Sequence, residues 1–390
     1  MTPIRIAHVV EAVEGGVARH LIDLITRLDP AEFTCLVYAS LQRSPYWSAR
    51  IMALREVGVT IREIPMAQVP NRAAVRQIAE WGRRDAIDIL HLHSARAGFL
   101  GRQALAGSGC ATVYTPHAFP FQRTTDWLRP FYRLQERRQA AQTTVIICVS
   151  AGERDEALAA GLPEEKLVVI PNGLDFTHWP APTVAERTAA RTTYGMSEGE
   201  LIIGMMARLA PQKGADVLIS AAVETLTEFP RARILLWGTG PRRESLQRTI
   251  RNLHLRRIHL MGETTDPRLA YLAMDVFCAP SRWEAGPYSV LEAMACRLPV
   301  VASDVPGNAN YIEHDRTGIL VPAELPGPLA GALRSLLLDE DVRLTYGAAG
   351  RRRVENLFPV EAMVRNTAHV YHKVLEVAGN QRPFPVECAR

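Results

Sequence analysis

Glu284-Ala-Gly-Pro-Tyr-Ser-Val-Leu-Glu292 sets two carboxylates on either side of a Gly-Pro turn and runs into the apolar segment Ala293-Met294-Ala295. The apolar run Val276 to Pro280 precedes it. A buried strand, a loop and a helix in that order put the loop at the carboxyl edge of a parallel sheet, where nucleotides bind. Glu284 then lies in the loop and Glu292 on the first turn of the helix. Free amides at that turn suit a diphosphate, and a carboxylate there accepts both hydroxyls of a ribose. A purely structural role competes: Ser289-x-x-Glu292 also spells a capping box, and Glu284 could be a solvated loop residue.

A second loop carries the complementary charge. Gly204 to Gly214 leaves an apolar run and enters a helix near Asp216. Arg208 can fork onto two phosphate oxygens, and Lys213 can supply a point charge from the helix entrance. All but three of the 45 cationic residues are arginines, the lysines being 166, 213 and 373. A lysine in such a chain needs a reason, which favours a functional Lys213 over a solvated cation.

Other candidates are less specific. Gly15-Gly16 opens the first long helix, and Gly238-Thr-Gly240 ends a strand. Neither completes a dinucleotide or Walker fingerprint, so each is either a tight connection or a close approach to a ligand. His117 emerges after the strand Ala111 to Thr115, able to hydrogen-bond a sugar hydroxyl. His91 and His93 share one strand face, but no carboxylate is spaced to complete a metal site, and none is expected. Asp339-Glu340-Asp341 reads as a helix cap rather than an acidic metal motif.

The elements that must position these residues follow from the apolar pattern. Short apolar runs alternate with helix-length amphipathic segments, as in βαβ units. Seven strands are expected from Ile4 to Ile170 and six from Leu201 to Val321. The polar, proline-containing stretch 176–199 reads as a linker between domains at 1–175 and 200–359, and the helical stretch at about 360–378 as returning to the first. At 390 residues, 47% hydrophobic and 22% charged, the chain suits two globular domains. A net charge of +4 gives no reason to expect nucleic acid. Six cysteines without a Cys-x-x-Cys pair read as buried thiols. The first residues lack a signal-peptide core and no run is long enough to span a membrane, so a cytosolic protein is expected. From Phe119 to Arg138, aromatics are interleaved with Arg123, Arg129, Arg133, Arg137 and Arg138. This stretch either lies on an anionic leaflet at the inner membrane face or is an ordinary helix with its aromatics in the core.

Together these pieces resemble glycosyltransferase family 4, over nearly the whole chain. The pieces are Arg208 to Lys213-Gly214, Glu284 with seven residues before Glu292-Ala-Met-Ala, Thr317-Gly-Ile-Leu-Val321, Gly15-Gly16, His117, Val149-Ser150 and Ile170-Pro-Asn-Gly-Leu-Asp175. The resemblance implies a GT-B fold, with two Rossmann-like domains facing each other across a cleft. It further implies retaining transfer from a UDP- or GDP-sugar to a saccharide or lipid-linked acceptor, with no cofactor besides the nucleotide-sugar co-substrate. Arg208 and Lys213 would bind the diphosphate, Glu292 the ribose, and Glu284, the Ala285 to Ser289 backbone with Gly286, Tyr288 and Ser289, and His117 the transferred sugar; Gly238 and Gly15-Gly16 would border the donor. The family often has Glu-Gly-Phe-Gly where Glu284-Ala-Gly-Pro287 stands and Pro-Glu where Ala309-Asn310 stands, which leaves the donor sugar open. A nucleotide-sugar epimerase and a catalytically silent nucleotide-sugar-binding partner are the alternatives.

Overall fold

A computed structural model describes residues 2–11, 15–40, 47–66, 71–122 and 127–380. The chain folds as two compact units, one of Met1–Gly173 with Val360–Arg390 and a second of Leu174–Pro359.

The first unit holds β1 (Ile4–Val10), β2 (Phe33–Ala39), β3 (Thr60–Glu63), β4 (Ile89–His93), β5 (Ala111–Thr115), β6 (Val145–Cys148) and β7 (Leu167–Val169). They form one parallel sheet in the order β3-β2-β1-β4-β5-β6-β7. Every residue of β4 and β5 is buried, because helices cover both faces of the sheet. The helix Val360–Asn380 belongs here. Val360, Met363, Val364, Val370, Tyr371 and Val374 recur at helical spacing and pack with Ile6, Ile89, Val113 and Val145.

The second unit holds β8 (Leu201–Met206), β9 (Ala232–Trp237), β10 (Ile258–Gly262), β11 (Val276–Ala279), β12 (Val300–Ser303) and β13 (Gly318–Val321). Again all pairs are parallel, in the order β10-β9-β8-β11-β12-β13. Separate apolar clusters hold its two faces, one with Phe277, Leu291 and Tyr271, the other with Ile203, Leu218 and Leu333. All thirteen expected strands are present, seven in the first unit and six in the second.

The stretch 176–199 departs from its reading as a linker. It forms the helix Val184–Thr193, opened by a Thr183/Glu186 capping box. Arg187 and Arg191 dock this helix on Asp275 at 3.3 and 2.9 Å, so it is part of the second unit. Ala190 is its one fully buried residue, and polar docking of this kind leaves no hydrophobic period to read. Asp339 caps the helix Glu340–Leu357 by accepting from the Val342 amide at 2.9 Å, as the sequence suggested.

Candidate active site

In the second sheet the strand order reverses between β8 and β11, which leaves a crevice at the carboxyl ends of those two strands. The Arg208–Gly214 loop follows β8 and the Pro280–Pro287 loop follows β11, so both loops singled out in the sequence meet there.

Gly214 brings them together. Its φ is +65°, and a Cβ at this position would lie 1.9 Å from the Pro280 carbonyl oxygen, so only glycine lets the β8 loop rest on the end of β11. Two side chains fasten the contact. Arg282 forks onto Asp216 at 3.0 and 2.8 Å, reaches Glu324 at 2.7 Å and donates to the Pro211 carbonyl at 2.6 Å. Gln212 donates to the Trp283 carbonyl at 2.9 Å. Burial works against the Asp216 carboxylate, yet the Arg282 guanidinium holds its pKa below the usual range. Arg282 was missed by sequence reasoning, since one arginine among so many carries no signal.

The contact delivers Lys213 to Glu284. The ammonium donates to Glu284 Oε1 at 2.5 Å, and Ser281 Oγ donates to the same oxygen at 2.8 Å. Glu284 is buried, whereas Lys213 is partly exposed. Oε2 of Glu284 has no hydrogen-bond partner among the described residues and can accept from a ligand hydroxyl. Gly307 packs on the same loop: a Cβ there would fall 2.7 Å from the Glu284 carbonyl carbon, and its amide donates to that carbonyl group at 3.0 Å. Arg208 is exposed, and its guanidinium has no ion-pair or hydrogen-bond partner among the described residues.

The helix Tyr288–Ala295 starts at the edge of this crevice with Pro287 as its N-cap and no capping side chain. The Ser289-x-x-Glu292 capping box therefore does not form. Glu292 sits one turn into the helix, half-buried, and accepts from the Tyr271 hydroxyl at 2.9 Å, a partner 21 residues away that no local pattern announces. The Tyr288 ring is buried in the core, so its backbone rather than its phenol faces outward. Lys213, Ser281, Glu284, Pro287 and Ser289 line one small recess with Met206. Gly238 has φ +122°, and a Cβ would lie 2.0 Å from the Ala207 carbonyl oxygen. It lets the β9 end support the Arg208 loop from beneath.

In the first unit the corresponding reversal lies between β1 and β4. Gly15, with φ +55°, opens the helix Gly15–Ile25 after β1, and Gly16 is the next helical residue. His117, φ +50°, stands half-buried after β5, with Nε2 3.4 Å from His93 Nδ1. In the arginine-rich stretch the aromatics divide. Phe119 and Phe121 are buried, whereas Trp127, in the turn before the helix Arg129–Ala140, and Phe131 and Leu134 within that helix are exposed. Arg123 lies outside the described residues.

The sequence matches the family described as Glycosyltransferase Family 4 over residues 14–178 and that described as Glycosyl transferases group 1 over residues 186–353. The chain belongs to glycosyltransferase family 4. One relative is the UDP-Gal:alpha-D-GlcNAc-diphosphoundecaprenol alpha-1,3-galactosyltransferase of Escherichia coli, 30% identical over 61% of this chain and 63% of that enzyme. The match thus spans less than two thirds of that relative's length. Another is the GDP-mannose-dependent monoacylated alpha-(1-6)-phosphatidylinositol monomannoside mannosyltransferase of Corynebacterium glutamicum, 27% identical over 90% of this chain and 92% of the enzyme. Among solved structures, Anabaena HepE, in complex with UDP-glucose, superposes with a TM-score of 0.82 at 20% identity, covering 95% of this chain and 99% of that one. That likeness shows the GT-B fold of the family member. Among its described residues no helix is long and apolar enough to cross a membrane.

Proposed function

We propose that this chain is a retaining glycosyltransferase that moves a sugar from a UDP- or GDP-sugar to a saccharide or lipid-linked acceptor in cell-surface polysaccharide or glycolipid synthesis. The observation that carries the reading is the Lys213–Glu284 pair, fastened by Ser281 at the strand-order reversal of the second sheet.

The donor diphosphate lies along the exposed Arg208, the two remaining N–H bonds of Lys213 and the first amides of the helix Tyr288–Ala295. Glu292, oriented by Tyr271, accepts the ribose hydroxyls, and Glu284 Oε2 accepts one hydroxyl of the transferred sugar. The bond from the anomeric carbon to the phosphate oxygen breaks. The acceptor oxygen bonds to that carbon on the same face, and its proton passes to the departing phosphate oxygen. The two cations and the helix amides stabilise the charge that develops there, with no metal required.

The acceptor side is supported by relatives whose names specify lipid-linked substrates. Trp127, Phe131 and Leu134 are 78%, 60% and 45% exposed and are accompanied by the exposed Arg129, Arg133 and Arg138. Apolar anchors among arginines suit an anionic leaflet. Liposome co-sedimentation that appears with anionic lipid and fades with salt, or in an Arg129→Glu, Arg133→Glu double variant, supports this contact. Equal recovery in the supernatant rejects it.

Incubation with radiolabelled UDP- and GDP-sugars, with lipid-linked and soluble acceptors, tests the reaction. A transferred sugar with its anomeric configuration kept is the expected product. A changed sugar without an acceptor would make the chain an epimerase, and binding alone a silent partner.

A further inference from the structure

The first unit buries more imidazole than its fold needs. His8 and His91 are register partners on β1 and β4, and His93 follows His91 on the same face. His20 reaches them from the helix Gly15–Ile25 and His117 from the segment after β5. His8, His20, His91 and His93 are all at most 1% exposed.

Their hydrogen bonds sort them into two kinds. His91 is satisfied at both nitrogens, by the Tyr371 hydroxyl at 2.6 Å and by Thr115 Oγ1 at 2.8 Å. His20 is not. Its Nδ1 lies 2.9 Å from Asn172 Oδ1, an oxygen that can only accept, so Nδ1 carries the proton and Nε2 presents a bare lone pair. That buried Nε2 has no partner. His93 Nε2 lies 3.1 Å from His8 Nδ1, and when His93 Nε2 is the donor of that bond its Nδ1 is a second lone pair, 3.4 Å from His117 Nε2. One ring nitrogen from each of His20, His93 and His117 lies within 4.8 Å of the others.

We infer that His20, His93 and His117 form a binding site for one Zn2+ ion or a similar borderline transition metal, with Asn172 and His8 as the groups that orient its ligands. Tetrahedral zinc at roughly 2.0–2.1 Å from each imidazole holds its nitrogens about 3.4 Å apart, the present His93–His117 separation, so a small ring rotation of His20 completes the triangle. Three imidazoles with no carboxylate exclude the oxygen-seeking Mg2+ and Ca2+ and suit zinc, copper or nickel. An outer carbonyl that fixes the tautomer of a ligating histidine is the arrangement found around protein-bound metals. Half-buried His117 leaves the fourth position to water or an anion. A second trio, His8, His91 and His93, is close enough to ligate but would have to surrender the Tyr371 and Thr115 bonds of His91. None of this depends on which reaction the chain catalyses.

The test uses the full chain without a polyhistidine tag, stripped with EDTA, dialysed and titrated with Co2+ and then Zn2+. One equivalent of Co2+ should give the strong visible absorption of a tetrahedral site and be displaced by Zn2+. His20→Asn should weaken the affinity by about a hundredfold, at or above the loss seen when an outer-shell group is removed. His91→Asn should bind as wild type does. X-ray absorption of the Zn2+-loaded wild type reads the site without any variant, and should count three imidazoles. Absence of a stoichiometric tetrahedral signal, equal affinity in a folded His20→Asn, or fewer than three imidazoles at the zinc would each overturn the site.

Discussion

In the second unit the crevice between β8 and β11 is bridged by Lys213 and Glu284 and braced by Arg282 on Asp216; in the first, the crevice between β1 and β4 is bridged by Arg96 and Glu11. The two sheets thus solve the same topological problem in the same way. Beneath the bridges they differ. The second unit has partly exposed cations beside a helix start that no side chain caps, whereas the first has a packed group of imidazoles. A parallel sheet fixes where a ligand enters, and the side chains at the reversal fix its chemistry. Positive charge suits a diphosphate; neutral lone pairs suit hydroxyls or a borderline metal.

The largest expected effect breaks the second unit's half of this contrast. Lys213→Ala should lower kcat by about 10²- to 10³-fold, the loss typical of removing one stabiliser of developing charge. Its thermal unfolding should fall modestly but stay cooperative, because Lys213 contributes no core contact while its loss leaves the buried Glu284 carboxylate without its counter-charge. Turnover within threefold of wild type would remove Lys213 from the mechanism.

Next comes a split between the two glutamates. Glu292→Ala should weaken binding of free UDP or GDP by about 10- to 100-fold, as expected for charge-assisted hydrogen bonds lost to the ribose. Glu284→Ala should bind the free nucleotide nearly as wild type does and lose transfer instead. Calorimetry on both variants separates them. Normal nucleotide binding by Glu292→Ala would leave its carboxylate no role beyond accepting from Tyr271.

Much of this geometry could be read from residue order. The thirteen strands are short apolar runs between helices, and burial on both faces makes such runs conspicuous. Lys213 stood out by rarity and Glu284 by its turn. What stayed hidden were partners distant in sequence: Arg282 for Asp216 across 66 residues, Tyr271 for Glu292, and Asn172 for His20 across 152. The histidines show this most plainly. His91 and His93 lacked a carboxylate at any useful spacing, and the groups that join them are histidines from another strand, a helix and a loop. The helix Val184–Thr193 was hidden for a different reason, since it docks through arginines on Asp275 rather than through an apolar stripe.

A smaller effect sharpens the contrast through stability. The second unit's loop carboxylates Asp216 and Glu284 are paired with cations, whereas Glu156 of the first has a buried Oε2 without a partner. Burial, and then the neighbouring Glu153, raise the Glu156 pKa to about 7. A folded-state pKa above the unfolded value means that folding retains a proton. Stability is therefore full below about pH 4.5, falls as pH rises through about 7, and stays reduced above it. Glu156→Gln should relieve about 1 kcal/mol at pH 8 after allowance for partial exposure, and almost nothing at pH 5. Differential scanning calorimetry at both pH values reads this as a rise of about 2–4 °C at pH 8 alone. An equal rise at both would mean that the gain comes from packing.

The smallest expected effect is that of a chelator on transfer. In the proposed mechanism the charge on the departing diphosphate is met by Arg208, Lys213 and the amides that open the helix Tyr288–Ala295, which would leave a divalent ion on the phosphates no role to fill. EDTA should leave the initial rate within about twofold of the untreated protein, even when it empties the histidine site of the first unit. The informative control is Lys213→Ala with Mg2+ or Mn2+ added. If the cations replace a metal, some activity should return when a metal is supplied to the variant but not to wild type. If EDTA abolishes transfer in wild type and Mg2+ or Mn2+ restores it, the lysine is not the main counter-charge, and the contrast between a cationic and a metal-binding unit fails on its cationic side.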